Sequence, residues 1–593
     1  GGALMCGIVG YIGRWRAAPI LIDGLKKLEY RGYDSAGIAV LSGGKMAIAK
    51  RRGRVAALEK ALELPGTIGI GHTRWATHGA PSERNAHPHC YGKIAVVHNG
   101  IIENAAGLRA ACEARGELFV SETDSEVAAH MIAHYFEKEG DLLRAVHLAA
   151  GELVGSFALA VLAEGEEEIV CARRASPLIV AMGEGEGFVA SDIPALAAKG
   201  RRAYVLEDGE FAKLTRETVQ IFGADLALRS REPFILEEAA LAPEKGNFAH
   251  FMRKEIEEVP DAIQNSLFLP ERVQNNGIYE VLCQTYYFDI VACGTAYHSG
   301  LCFAYAAERL LRVPTRVHIA SEYRYADPIV PRGTLTIAVS QSGETADTLA
   351  AARLAQERGS KVLAITNVAH SSLSRLADFT IFTGAGREVA VAATKSFHAQ
   401  LASLYSLLVV LARCRYTSVP PLVQFSNLAR EVIQKSECVA GWTPYFLGSR
   451  SVFFLGRGVD RCAAMEGSLK LKEITYLPSE GYAAGELKHG TLALVDGRTP
   501  VVAIITDAQL ADKTMNAVHE VYARGANVFL ISCFPELCSQ REVTASVCIP
   551  ACPPAFSPML SVIPLQMLAY HVSLAVGNDP DKPRNLAKSV TVE

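Results

Sequence analysis

The sequence predicts an α+β layered domain followed by two α/β domains, each with a parallel sheet covered by helices on both faces. Three observations predict this. Up to about residue 225 the chain carries short β-like runs interrupted by a few helical patterns. From residue 285 the rhythm becomes apolar strand, glycine- or serine-rich turn, helix. That second rhythm occurs twice.

In the N-terminal part, 1–225, the strand signals are "CGIVGYIG", "GIAVL", "TIGIGHTRW", "KIAVVHNG", "SFALAVLA", "GFVAS" and "EFAKL". Helical spacing appears in "APILIDGLKKLEY" (18–30) and "DSEVAAHMIAHYFEKEG" (124–140). Residues 226–284 are charged and proline-punctuated, and "HFMRKEIEEVPDAIQNSL" reads as helical, so they are expected to form a connector packed on the next domain. The first α/β copy spans 285–425 and the second 426–580. "FDIVACGTAYHSGLCFAYAAERLL" (288–311) matches "SVFFLGRGVDRCAAMEGSLKLKEI" (451–474), and 333–367 matches 499–533. Residues 581–593 form a tail that lacks the composition of a solvated end and is expected to close over a site.

A chain of 593 residues exceeds one core. The net charge of −4 gives no case for nucleic acid or an anionic membrane surface. The 14 cysteines are scattered, without a disulfide framework or paired zinc spacing, and Cys548 and Cys552 read as structural. No signal peptide is visible. The apolar stretches 400–413 and 556–577 contain Ser, Gln or His and read as buried helices. A reducing, cytoplasmic setting is the expectation.

The chemistry concentrates in a few stretches. In "VSQSGETADT" an apolar strand runs into Ser340, Gln341, Ser342 and Thr345 at a helix start, more hydroxyls than one cap needs, so the loop reads as a phosphate cradle. The second copy has "IITDAQLADK" there and lacks the cluster. Thr295, in the turn "CGTAYHSG", sits at the neighbouring strand end. Lys470 and Glu473 share one helix face, and His489 comes next in a glycine-bounded turn; carboxylate, amine and imidazole suit proton transfer beside a carbonyl. Lys588 in the tail suits a Schiff base with a keto sugar once desolvated.

The N-terminal part has a separate constellation. Arg74 suits a carboxylate and Asp124 an ammonium, which together describe a pocket for an α-amino acid. Asn99 and the amide of Gly100 suit an oxyanion hole. His87 and His89 with Cys90 read as a polar loop rather than a metal site.

"CGIVGYIG", "LEYRGYDSAG", "HTRWATHG", "VVHNGIIEN", "SETDSE", "SQSGETADT", "GYAAGELKHG" and "PRNLAKSVTVE" occur in this order. Over essentially its whole length the chain resembles the glutamine–fructose-6-phosphate aminotransferases (isomerising) of bacterial type. The resemblance implies an N-terminal-nucleophile αββα sandwich with glutaminase activity, then two doubly wound sugar isomerase (SIS) domains. It implies that Cys6 attacks the glutamine amide with its own α-amino group as base, and that Asn99 and Gly100 hold the oxyanion. Arg74, Thr77, His78 and Asp124 would bind glutamine, and Trp75 would gate an ammonia channel. Ser340, Gln341, Ser342, Thr345, Thr295, Val391 and Ala587 would bind the sugar phosphate. His489 would open the ring, Lys588 form the Schiff base, and Glu473 with Lys470 move a proton between C1 and C2. The products would be glucosamine 6-phosphate and glutamate, the entry to amino-sugar synthesis. The resemblance implies no cofactor or metal. The implied partners are L-glutamine, D-fructose 6-phosphate and a second copy of the chain that lends a histidine.

Ala393 stands where the family more often has serine, and Thr491 where proline is usual. The long insertion of eukaryotic members is missing, which makes feedback by a nucleotide sugar unexpected. Other amidotransferases of this class, which make phosphoribosylamine or asparagine, need a pyrophosphate loop that is not found here. A catalytically dead sugar-phosphate regulator would lack Cys6, Glu473, His489 and Lys588. Gly1-Gly2-Ala3-Leu4-Met5 precede Cys6. While they are attached Cys6 has an amide nitrogen and no amine, so a protein retaining them is expected to have little glutaminase activity and intact sugar chemistry.

Overall fold

The computed structural model describes residues 6–29, 32–75, 78–196, 201–236, 245–268 and 277–589. Thr77 and the leader Gly1–Met5 lie outside the described residues. The chain divides into two compact units, one formed by Gly1–Glu244 with Ser589–Glu593 and the other by Lys245–Lys588.

The N-terminal unit stacks two mainly antiparallel sheets. One has the strand order Phe234–Ile235, Arg202–Val205, Ile179–Gly183, Glu186–Ala190, Gly7–Ile12, Ile68–Arg74, Ser35–Ser42, Lys45–Arg52. The other runs Leu228–Arg229, Val219–Phe222, Phe211–Leu214, Ile169–Arg174, Gly155–Ala163, Ile94–Ile102, His89–Tyr91. Ile8, Ile12, Ile68 and Ile70 of the first sheet pack with Ala95, Val97, Ala160 and Leu162 of the second. Helix Ala17–Leu28 covers the outer face of the first sheet with Leu21, Ile22, Leu25 and Leu28, a stripe at helical spacing. Helices Glu126–Glu139 and Leu142–Glu152 cover the second. This is the expected αββα sandwich. Residues 228–229 and 234–235, read from sequence as connector, pair into these two sheets instead. Each is a two-residue strand, too short to show a period.

The second unit, from Lys245 to Lys588, carries two five-stranded, all-parallel sheets of identical topology. The first has the order Thr315–Ile319, Tyr287–Ala292, Thr334–Val339, Lys361–Thr366, Phe379–Phe382. The second runs Ser479–Ala483, Val452–Gly456, Pro500–Ile505, Asn527–Ser532, Ala545–Cys548. Both are 2-1-3-4-5 sheets, so in each the ligand crevice belongs outside the carboxyl ends of its first and third strands, where strand order reverses. Helices Lys395–Cys414 and Pro558–Ala575 are long and apolar enough to cross a membrane, yet 83% of each apolar window is buried in the fold. The connector sequence forms Phe251–Glu257 and Val259–Ser266, separated where Pro260 starts the second helix. The cysteine pattern gave no disulfide framework, and one disulfide occurs, Cys283–Cys414, joining two helix ends.

Candidate functional site

Cys6 precedes the strand Gly7–Ile12, whose pairing with Ile68–Arg74 sets Gly7 opposite Thr73. The thiol therefore meets Trp75: Sγ accepts from the Trp75 N–H at 3.4 Å and lies 3.7 Å from its carbonyl oxygen. Asn99, on the facing sheet, donates from Nδ2 to the Cys6 carbonyl at 3.0 Å. Its Oδ1 is 3.1 Å from His72 Nε2, which also lies 2.9 Å from the His98 carbonyl. Burial pushes His72 down to about 3, so the ring is neutral. Its Nε2–H then donates to both oxygens, which turns the Asn99 NH₂ toward Cys6. Gly100 has φ +132°, and a Cβ there would run into the Ser156 carbonyl, so only glycine fits at this position.

Arg74 is 3% exposed. Its Nη2 donates to the carbonyls of His78 and Gly79, while Nη1 is buried with no partner among the described residues. A buried guanidinium nitrogen left open suits a carboxylate brought by a ligand. Asp124 accepts from the Ile102 N–H at 2.8 Å and lies 4.0 Å from His78 Nδ1. The Cys6 thiol is pushed up to about 11 by burial, with the Trp75 backbone hydrogen bond and then Arg74 opposing. It is protonated at neutral pH and needs a base. His87 lies in the loop before strand His89–Tyr91 and His89 opens that strand, but neither is solvated. Both are buried, with His87 against His72 at 3.9 Å and against His89 at 4.5 Å between ring centroids.

In the second unit the cradle comes directly after strand Thr334–Val339, on the switch-point side. Ser340 Oγ and Thr345 Oγ1 are 2.9 Å apart, and Gly343 N–H donates to Ser340 Oγ at 3.1 Å. Ser342 Oγ accepts from the Glu344 N–H at 3.2 Å, and the Gln341 carbonyl accepts from the Asn367 N–H. Helix Ala346–Glu357 starts directly behind, with its N-terminus toward the loop. The second copy is filled: Asp460, 2% exposed, accepts from the N–H and hydroxyl of Thr506, the counterpart of Ser340.

Thr295, on helix Gly294–Leu311, donates to Glu466 Oε1 at 3.0 Å, and His298 Nδ1 lies 2.7 Å from Glu466 Oε2. Glu466 is fully buried on helix Val459–Thr475, one turn before Lys470. Lys470 Nζ lies 3.6 Å from Glu466 and 2.7 Å from Glu473. Burial alone would depress the Lys470 ammonium, and the two carboxylates outweigh it and raise it. Sequence reasoning missed Glu466 and His298; the i, i+4 spacing of Glu466 and Lys470 is the signal that could have found Glu466.

Lys588 is ion-paired to Glu388. Glu388 also accepts from the N–H groups of Thr394 and Ser396 at 2.9 and 3.0 Å. Val391 N–H donates to the Asp581 carbonyl at 3.1 Å, tying the 388–396 loop to the segment that carries Ala587 and Lys588. Asp581 in turn accepts from the Phe251 and Met252 N–H groups at 2.9 and 2.8 Å. His489 is exposed at the end of the turn 484–489. Lys488 beside it pairs with Glu520 at 2.7 Å.

Two family descriptions match the chain: SIS domain at residues 287–410 and 445–576, and glutamine amidotransferase domain at 72–198. The chain is 46% identical to the glutamine–fructose-6-phosphate aminotransferase [isomerizing] of Clostridium tetani, over 99% of this chain and all of that one. The Thermus thermophilus protein of the same description is 44% identical over the same shares. Among solved structures, the C-terminal domain of glucosamine-fructose-6-phosphate aminotransferase from Francisella tularensis covers 58% of this chain and 100% of that one, with 35% identity and a TM-score of 0.54. The tagatose-6-phosphate ketose/aldose isomerase of Escherichia coli covers 58% of this chain and 97% of that one, with a TM-score of 0.51 at 21% identity, and shares the fold.

Proposed function

The chain belongs to the glutamine–fructose-6-phosphate aminotransferase (isomerising) family, and from that membership we infer that it moves the amide nitrogen of L-glutamine onto D-fructose 6-phosphate. The products are D-glucosamine 6-phosphate and L-glutamate, the entry step of hexosamine synthesis. The observation that carries this reading is the presence, in one chain similar to such enzymes end to end, of a cysteine–asparagine–arginine site, a hydroxyl cradle and a buried, ion-paired lysine.

At the glutamine site we assign Arg74 to the α-carboxylate, taken on its open Nη1, and Asp124 with His78 to the α-ammonium side. The Cys6 thiol, relieved of its proton by a free Cys6 amine, attacks the side-chain amide, and Asn99 with Gly100 holds the oxyanion. Ammonia leaves, and water cleaves the thioester to glutamate. Trp75, whose backbone brackets the sulfur, controls that release.

At the sugar site Ser340, Gln341, Ser342 and Thr345 hold the phosphate, with Thr295, Val391 and Ala587 along the sugar. The Lys588 amine adds to the C2 ketone and water leaves as the imine forms. Ammonia then displaces the lysine. Glu473 carries a proton from C1 to C2 while Lys470 stays paired beside it. His489 faces solvent in its own chain, and this supports a homodimer in which it opens the sugar ring of the neighbouring copy. Both substrates are intracellular metabolites, and we place the reaction in the cytoplasm.

Two variants test the assignment. Cys6→Ala is expected to abolish glutamine-dependent synthesis and keep the interconversion of fructose and glucose 6-phosphates. Lys588→Ala is expected to keep glutaminase activity and lose amino transfer. Synthesis from glutamine surviving Cys6→Ala would show the nucleophile to be elsewhere.

A further inference from the structure

Glu255 lies on the connector helix Phe251–Glu257, outside every stretch that the sequence marked as chemical. It is 2% exposed. Its Oε1 accepts from the N–H groups of Val389 and Ala390, the two residues before Val391. Its Oε2 is buried without any partner among the described residues. The next residue back in that loop is Glu388, the counter-ion of Lys588. The same helix receives Asp581 at its N-terminus, and Asp581 leads the tail toward Lys588. One helix thus braces both the 388–396 loop and the lysine segment, and it places a second carboxyl beside the Glu388–Lys588 pair.

We propose that Glu255 is a positioning residue for Lys588: it stands as a neutral carboxylic acid beside the Glu388–Lys588 ion pair, and its ionisation locks the proton on the lysine. The proposal rests on the assignment of Lys588 as the Schiff-base residue.

The charges around Glu255 support a neutral acid. Glu388 and Lys395 face it from the 388–396 segment and Lys588 from the tail. Lys395 is already paired with Glu258 at 2.7 Å. Asp581, at the start of the same helix, is satisfied by backbone N–H groups. One lysine and two carboxyls therefore share the centre. Glu388 has five donors and Glu255 has two on one oxygen. A bare carboxylate oxygen with no partner is costly when buried, whereas a protonated one carries no charge. Burial first and the Glu388 charge second push Glu255 up to about 8.

The proton balance during imine formation shows what this does. Lys588 ammonium passes its proton to the Glu388 carboxylate, giving amine and acid. The amine nitrogen adds to the C2 ketone, forming the C–N bond and, after proton transfer, a carbinolamine. Glu388 returns its proton to the leaving hydroxyl, water departs, and the iminium keeps the positive charge beside the Glu388 carboxylate. The first step costs least when the only nearby anion is Glu388. When Glu255 also ionises, a second negative charge stabilises the Lys588 ammonium and opposes that step. Turnover therefore falls as pH rises through the Glu255 ionisation, opposite to the trend of a lysine titrating alone.

The test is the pH profile of glucosamine 6-phosphate formation by Glu255→Gln, which keeps the acceptor oxygen and fixes the neutral form. The full-length wild type is expected to lose turnover with a half-point near pH 8. In Glu255→Gln that half-point should rise by at least about one pH unit, a tenfold change in proton activity, with turnover at pH 7 lowered no more than about threefold. Glu255→Leu, which is neutral but leaves the Val389 and Ala390 N–H groups unpaired, should shift the limb likewise and raise the fructose 6-phosphate KM about tenfold. An unmoved half-point in Glu255→Gln overturns the proposal, as does an unchanged KM in Glu255→Leu. Borohydride reduction in the presence of fructose 6-phosphate separates the two readings. An adduct on Lys588 with an unmoved pH limb sinks Glu255 alone, and an adduct elsewhere sinks the lysine assignment.

Discussion

Exchanging Glu388 for glutamine removes the counter-charge of Lys588 while keeping the size of the side chain. Glu388 Oε1 accepts from the Thr394 and Ser396 N–H groups at 2.9 and 3.0 Å, and Oε2 accepts from the Ser396 hydroxyl at 2.7 Å and from the Lys588 ammonium. Burial alone would raise this carboxyl; Lys588 and the N–H groups overcome it and hold Glu388 at about 2, against an ordinary 4.5. That difference corresponds to about 3 kcal/mol of stability. Because the folded value is depressed, the contribution is present above the ordinary carboxylate range and is lost as pH falls from there toward 2. Glu388→Gln lacks it at every pH, and it also leaves Lys588 buried without its anion. Scanning calorimetry at pH 7 should show the transition of the sugar-isomerase unit lowered by about 5 °C, with the glutaminase transition unmoved. Between pH 5 and 3 the wild-type value should approach that of the variant. A shift under about 1 °C, with the wild-type acid dependence retained in the variant, would refute the reasoning.

Two further predictions probe the binding sites. Arg74→Lys removes the planar fork and its open Nη1, so the glutamine KM should rise roughly 30-fold, about 2 kcal/mol, in a steady-state glutaminase assay. Gly343 has φ +66°, and a Cβ there would meet Ser371 and Thr366 behind the cradle, so Gly343→Ala should raise the fructose 6-phosphate KM at least about tenfold. Glutamine hydrolysis measured on the same Gly343→Ala sample should match wild type.

The doubled α/β half was legible because each copy repeats strand, turn and helix in one order, and both copies fold into the same 2-1-3-4-5 sheet. The hydroxyl cluster at the start of the helix was legible because Ser340, Ser342 and Thr345 lie within six residues of chain. The supporting groups were not. Lys588 reaches Glu388 across 200 positions, Thr295 reaches Glu466 across 171, and Val389 reaches Glu255 across 134. No local period or spacing encodes such pairs. Strand Lys45–Arg52 lies at a sheet edge and confines its apolar residues to the short run 46–49 between cations at Lys45, Lys50, Arg51 and Arg52, so its strand signal is weak. His87 and His89 look like a polar loop in sequence because imidazole is usually solvated. Here they are buried, His87 edge-on to His89 and tilted against His72, the residue that orients Asn99.

The most direct measurement is borohydride trapping of the full-length protein incubated with fructose 6-phosphate, followed by peptide mass mapping. The predicted result is a reduced hexose-phosphate adduct on Lys588, absent from Lys588→Ala. An adduct on another lysine such as Lys470, or active enzyme that traps no adduct at all, would contradict the assignment of Lys588 as the residue that receives the sugar.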